Sequence, residues 1–145
     1  MPTSPSSATV SYTHLDAFER IIADQLPGAF NSNDENDSFD ARSDDRGPEP
    51  AAVALGAIDG RTYAFIALER IGGVVVWEIT DPRAPRFVEY VNDRDFAAAS
   101  EAAGDLAPEG VTFVPAAASP TGRPLLLVAN EASGTTRIWE ITMEE

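Results

Sequence analysis

The stretch 31–50 gathers side chains that could bind a cation. It has the sequence NSNDENDSFDARSDDRGPEP and holds seven acids and two arginines. Closely spaced carboxylate and amide oxygens are the ligands that Ca²⁺ and Mg²⁺ prefer in proteins. The stretch therefore predicts a divalent cation site, with Ca²⁺ as the expected ion. The expected ligands are Asp34, Asp37, Asp40, Asp44 and Asp45.

A second interpretation of the same stretch is a solvated acidic connector in which Arg42 and Arg46 pair with neighbouring acids. No twelve-residue window combines the sixth-position glycine and twelfth-position glutamate of an EF-hand. A run this polar forms neither a core strand nor an amphipathic helix, so it must be a long loop. The metal site and the connector both remain open at this point.

Three glutamates form a second candidate group. Glu69 and Glu131 each follow an apolar strand and precede a glycine turn, whereas Glu109 precedes a strand. If the strands repeat, these carboxylates would face one central channel. The alternative for Glu69 and Glu131 is a hydrogen bond to a turn amide, which we favour, so Glu109 is the better channel candidate.

Enzymatic chemistry has little support in the residue types. The chain has no cysteine, and its one histidine, His14, lies in the N-terminal tail, so Cys-His and Ser-His-Asp arrangements are unavailable. There is no glycine-rich phosphate loop. Metal-assisted hydrolysis of a phosphate ester by clustered carboxylates is the one enzymatic route left.

Net charge and hydropathy exclude some classes of binding partner. A net charge of −14 argues against nucleic acid and against anionic membrane surfaces, and it suits a soluble acidic protein. No apolar run reaches the length of a membrane span, so we expect no membrane insertion. Residues 1–11 lack the basic and apolar regions of a signal peptide.

The elements that must position these groups begin with a helix. We expect a flexible tail over 1–14, and a short helical segment over 15–27 whose helix ends at Gln25. Leu15, Phe18, Ile21 and Ile22 share one face of that helix. The acidic connector then spans 28–50.

Strand patterns follow the connector. The sequence predicts strands over 51–58, 61–68, 74–80 and 87–91, a short helix or loop over 93–104, and strands over 111–115, 124–130 and 135–142. The strands 61–68 and 124–130 are apolar on both alternating faces, so both faces should be covered.

The two groups of strands repeat. Trp-Glu-Ile-Thr at 77–80 recurs at 139–142, and Glu69 aligns with Glu131. Repeats of four short strands at this period are typical of β-propeller blades. The prediction is an all-β chain with one blade over 51–103 and an incomplete last blade over 104–145. Trp77 and Trp139 are expected in the core between blades.

Two blades cannot close a ring, and their faces would expose apolar strands. The expected partners are therefore the remaining blades of a parent propeller, or a second copy that associates through the exposed blade faces.

From Phe18 onward the sequence resembles the bacterial choice-of-anchor I β-propellers, which are related to mesenchyme-specific cell-surface glycoproteins. The matching segments are FERIIA (18–23), AFNSNDENDSFDARSDDRGPEP (29–50), GRTYAFI (60–66), ERIGGVVV (69–76) and ANEASGTT (129–136).

This resemblance implies a C-terminal fragment of a WD40/YVTN-like, seven-bladed propeller that is exported or attached to the cell surface. Its implied role is non-catalytic binding or scaffolding. The alternative is a remnant of a metal-dependent, phosphatase- or phytase-like propeller, since some members are labelled alkaline phosphatase. The family has Pro-Glu-Gly after the acidic loop, as at 108–110, whereas this chain has Pro-Ala-Ala at 50–52.

Overall fold

A computed structural model of the chain describes residues 16–99 and 102–143. The predicted tail 1–14, with His14, and the first expected helix residue, Leu15, lie outside the described residues. The elements are α1 (Ala17–Gln25), β1 (Pro50–Ile58), β2 (Arg61–Leu68), β3 (Val74–Glu78), β4 (Arg86–Val91), β5 (Pro108–Val114), β6 (Leu125–Asn130) and β7 (Thr135–Glu140).

The strands form two antiparallel sheets. Sheet 1 has the order β1-β2-β3-β4 and sheet 2 the order β5-β6-β7. The mostly β architecture with one short helix is therefore confirmed; each predicted strand is present, β2 with the predicted bounds and the others with shifted ends. The largest shift is in β5, which begins at Pro108 rather than at 111. Residues 92–99 form an irregular loop.

The sheets pack face to face through an inter-sheet core. The Phe65 ring of β2 stacks on the Phe113 ring of β5 with 5.6 Å between centroids. Gly56 of β1 lies under the same ring, where a Cβ atom would come within 2.7 Å of it. This core contains Ile58, Tyr63, Phe65, Ala67, Val74, Leu126 and Val128, with Phe113 and Trp139 packed against it.

Helix α1 and the start of the acidic loop cover the opposite face of sheet 1. Ile22 is fully buried and packs with Leu68, Ile71 and Val75, because the apolar positions of the helix fall on one side. The helix ends where Pro27 follows it, since proline cannot continue the hydrogen-bond ladder. Both faces of β2 are thus covered, as its doubly apolar sequence predicts.

Trp77 lies on this helix-covered face rather than between the sheets. Its predicted place in a core between blades is therefore wrong within the described residues, because α1 and its following turn occupy that side of sheet 1. Trp139 does pack against the inter-sheet core. Trp77 therefore lies on the face of sheet 1 that points away from sheet 2, and Trp139 lies on the face of sheet 2 that points toward sheet 1.

The sequence repeat has a matching backbone repeat. The register of β1 against β2 shifts between Pro50 and Ala52, and that of β5 against β6 shifts between Pro108 and Gly110. Each shift marks a β-bulge at the same repeat position. The first strand pair of each sheet therefore has the same irregularity in register.

The outer face of sheet 2 is not covered by any described element. Ile138, which lies opposite Leu127 in the register, is 58% exposed. On sheet 1, Val53 and Leu55 at the β1 edge are 63% and 61% exposed. Among the described residues, no helix combines the length and apolar character needed to cross a membrane.

Candidate functional site

The acidic loop has a specific backbone fold. The Asp40 amide donates to the Phe30 carbonyl over 2.8 Å, and the Arg42 amide donates to the Asn31 carbonyl over 3.0 Å. Asn31, Asp37 and Asp40 have φ angles of 44°, 60° and 61°. Asn and Asp tolerate this left-handed region better than most residues. Two expected metal ligands, Asp37 and Asp40, therefore have a conformational reason for their type.

Asn31 ties the loop to helix α1. Its side chain is fully buried, and Nδ2 donates to Glu19 Oε1 over 2.8 Å and to Ser43 Oγ over 2.9 Å. Gly47, with a φ of 56°, approaches the same Glu19 carboxylate closely. The helix and both ends of the loop thus meet at one buried amide.

Arg94 anchors the loop to sheet 1 from the other side. This arginine is only 6% exposed. Its Nη2 donates to Asn36 Oδ1 over 2.9 Å, and its Nη1 donates to the carbonyls of Asn33 and Arg70 over 2.7 and 3.1 Å. The guanidinium also lies 4.6 Å from the centroid of the Phe96 ring. Burial lowers the pKa of Arg94.

The amide of Asn36 completes this anchor. Its Nδ2 donates to the Asp95 carbonyl over 3.0 Å and to the Ala98 carbonyl. Asn36 opens the formal glycosylation sequence at 36–38, yet its amide nitrogen is committed to these bonds. Both ends of the side chain therefore join the acidic loop to the segment after β4.

Three arginines donate hydrogen bonds to Glu49 at the end of the loop. It accepts from Arg42 Nη2 over 2.9 Å, from Arg46 Nη1 over 2.7 Å and from Arg70 Nε over 2.9 Å. The hydrogen bond from Arg70, followed by that from Arg46, lowers the pKa of Glu49. The same bond raises the pKa of Arg70. This cluster closes the loop against the β2–β3 turn.

The expected metal ligands are dispersed among these partners. Asp34 lies 3.4 Å from Arg70, Asp45 lies 2.8 Å from Arg42, and Asp40 accepts from Ser43. Asp37 and Asp44 are exposed. Within residues 16–99 and 102–143, no three acid or histidine side chains converge as metal ligands would. The calcium site stays a prediction.

Among the three candidate glutamates, Glu109 lies within electrostatic reach of both Glu131 and Glu69. Repulsion from Glu131, then burial, then repulsion from Glu69 raise the pKa of Glu109. The Glu69 carboxylate pairs with Arg70 Nη2 over 2.8 Å rather than with a turn amide. The backbone amides of Glu69 and Glu131 donate to the carbonyls of Glu49 and Ala107 over 2.9 and 2.8 Å. The repeat thus places them at equivalent points.

Sequence reasoning did not identify the residues that hold the loop. Arg94 follows β4 in a polar segment that resembles an ordinary loop, and Asn31 is one of several amides in an acidic run. Their partners lie far away along the chain, 58 residues in the case of Arg94 and Asn36. Only the single arginine in an otherwise acidic turn at 92–95 was a usable signal.

Comparison with known proteins adds two findings. Residues 14–82 match the choice-of-anchor I domain family. The chain is also 26% identical over 140 residues to Gigasin-3a of Magallana gigas, covering 85% of this chain and 48% of that protein. The chain thus spans about half the length of this curated relative. No solved structure matches the chain.

Proposed function

We propose, from the choice-of-anchor I domain carried by residues 14–82, that this chain is a non-catalytic binding and scaffold segment of a surface-associated protein. The observation that carries the proposal is the anchored acidic loop. Buried Asn31 holds the loop against helix α1 and buried Arg94 holds it against sheet 1, while acids such as Glu35, Asp37 and Asp44 stay exposed. An anchored surface that presents more acidic than basic side chains suits recognition of a cationic partner.

The stacked sheets support the scaffold half of the proposal. Equivalent bulges at 51 and 109, and tryptophans on the same side of each sheet, are the relations expected between consecutive blades of a propeller. We therefore include two blades of an exported β-propeller in the proposal. The remaining blades of such a protein would cover the exposed face around Ile138.

Localisation tests the surface association. An antibody against this chain, used on fractionated cells of the natural source, should detect it at the cell surface or in the medium. Detection in the cell interior alone would contradict the proposal. Turnover of a generic phosphomonoester in the presence of Ca²⁺ or Mg²⁺, abolished by Asp37→Ala but not by Arg83→Ala, would contradict the non-catalytic role.

Calorimetric titration with Ca²⁺ tests the cation prediction for the loop separately. Heat that saturates and disappears in Asp37→Ala or Asp40→Ala would support it, whereas no heat would remove Ca²⁺ from the proposal and leave a basic polypeptide as the cationic partner. Because both positions have positive φ, Asp37→Asn and Asp40→Asn serve as variants that remove charge while keeping backbone preference.

A further inference from the structure

The outer edge of β7 is open in the described structure. In sheet 1, strand β4 pairs with β3 and completes a four-stranded sheet, whereas β6 is the only described strand that pairs with β7. An unpaired edge offers a row of backbone donors and acceptors to another extended chain. Because β3 and β7 share the Trp-Glu-Ile-Thr repeat, β4 shows what such a chain would supply.

Strand β4 contributes two specific contacts to sheet 1. The Phe87 ring meets the Trp77 ring edge to face, with 6.1 Å between centroids. Arg86 Nη2 donates to Glu78 Oε2 over 2.6 Å. Phe87 and Arg86 lie directly opposite Trp77 and Glu78 in the register. In sheet 1, the outer edge of β3 is therefore paired with a strand that supplies one aromatic and one basic side chain.

In sheet 2, the residues that match Trp77 and Glu78 have an arginine contact but no described strand that corresponds to β4. Trp139 and Glu140 stand where Trp77 and Glu78 stand in the repeat. Glu140 pairs with Arg123 over 2.8 Å, in the way that Glu78 meets Arg61 over 3.6 Å. Within residues 102–143, no residue takes the part that β4 plays on the other sheet.

A cleft lies beside Trp139 where a strand added at the β7 edge would place a side chain. Its volume is about 260 Å³, and the two sheets form its walls. The inner face of sheet 1 supplies apolar side chains, and Glu89 adds one acid to the rim. The lining residues that define the apolar wall are Phe65, Val74, Val76, Val88, Leu126 and Trp139.

We infer that the β7 edge binds one extended strand of a partner polypeptide, with an aromatic side chain opposite Trp139 and a basic side chain opposite Glu140. Backbone pairing along an edge gives affinity, and the side chains of the added strand give specificity. The occupant is a neutral or basic segment rather than a second copy of this chain, because a net charge of −14 opposes association of two copies.

A peptide that copies residues 84–92, APRFVEYVN, is a suitable probe because it carries the residues that fill this role in sheet 1. Titrated into the full-length chain, it should bind one to one by calorimetry. Hydrogen exchange should slow at the amides of 135–140 and remain unchanged in β1. A peptide with Phe87→Ala and Arg86→Glu should bind about tenfold more weakly or worse.

A charge exchange separates this site from non-specific attraction. Glu140→Arg, at an exposed position, should weaken the natural peptide about tenfold and restore binding of the peptide with Arg86→Glu. Asp24→Arg makes the same change in net charge at an exposed position on helix α1 and should leave both affinities unchanged. Circular dichroism checks that each variant is folded.

Three results would overturn the inference. The first is no saturable binding at millimolar peptide. The second is binding that Asp24→Arg weakens as much as Glu140→Arg does. The third is slow exchange at 135–140 without peptide that strengthens with protein concentration alongside a dimer in sedimentation, which would identify a second copy as the occupant.

Discussion

Arg94 is a positive charge buried among neutral oxygens. Its acceptors are the Asn36 amide oxygen and backbone carbonyls; burial lowers its pKa, and the charge of Asp34 acts in the opposite direction. A buried guanidinium is tolerable only when nearly all its donors are bonded, and removing it leaves those acceptors unsatisfied. The acidic loop therefore depends on one arginine more than on its own many acids.

Replacing Arg94 should destabilise the protein strongly. Arg94→Ala should lower the free energy of unfolding by about 3 kcal/mol, because several hydrogen bonds to a charged group are lost inside the protein. Urea titration followed by tryptophan fluorescence measures this change. Arg83→Ala removes an exposed arginine and should change the stability by less than about 0.5 kcal/mol. Equal effects of the two variants would contradict the anchoring role.

Glu109 should make the folded protein less stable as the pH rises. Its folded pKa is raised above the usual 4.5, mainly by Glu131, so the native state binds more protons than the unfolded state between those two values. Glu109→Gln should therefore raise the thermal midpoint at pH 7 and leave it unchanged at about pH 3, where the unfolded carboxyl is also protonated. Thermal melts across this range measure the difference.

Glu49 provides a control of opposite sign. Its folded pKa is lowered by Arg70, so its contribution is present above the unfolded pKa and is lost as pH falls through the folded pKa. Glu49→Gln should cost about 1 kcal/mol at pH 7, discounted for solvent screening, and the cost should vanish in acid. If Glu109→Gln and Glu49→Gln changed the stability in the same direction at pH 7, the assigned causes of the two pKa shifts would be wrong.

At the scale of elements, local patterns predict the strands but not the contacts of the loop. Alternating apolar residues and glycine turns specify β1 to β7, and the repeated Trp-Glu-Ile-Thr predicts two equivalent sheets, because these signals lie within a few residues of each other. The anchor from Arg94 to Asn36 joins residues far apart in sequence, and no local pattern encodes it. The place of Trp77 was mispredicted for a related reason, since the helix that covers it could equally have packed elsewhere.

The fit between β1 and β5 leaves no space at Gly56. A Cβ atom there would lie 2.7 Å from the Phe113 ring, closer than side-chain atoms approach one another. Gly56→Ala should therefore destabilise the protein by about 2 kcal/mol through overpacking. Equilibrium unfolding in urea measures the change.

A second substitution distinguishes overpacking from an effect on the strand itself. The double variant Gly56→Ala with Phe113→Leu should lose less stability than the sum of the two single losses, because a smaller side chain makes room for the methyl group. Gly28→Ala places its Cβ in open space and should be nearly neutral. If Phe113→Leu only adds to the loss, the close approach does not explain the effect.

At the scale of the whole molecule, each core joins parts that are distant in sequence. The inter-sheet core combines Phe65 of sheet 1 with Leu126 of sheet 2, and the helix-side core joins α1 to β2 and β3. Neither sheet buries both faces by its own residues. The two repeats should therefore unfold together rather than as separate units.

Two tryptophans, one in each sheet, allow this cooperativity to be measured. Trp139→Phe leaves Trp77 to report on sheet 1, and Trp77→Phe leaves Trp139 to report on sheet 2. Adding Phe113→Ala on β5 to each variant should lower stability by about 3 kcal/mol, because a large aromatic is lost from the shared core. The urea midpoint should fall equally for both reporters, whereas Ile138→Ala, at an exposed site on β7, should shift neither appreciably. A midpoint that falls for Trp139 but not for Trp77 would mean that sheet 1, covered by α1 and the anchored loop, holds its structure without sheet 2.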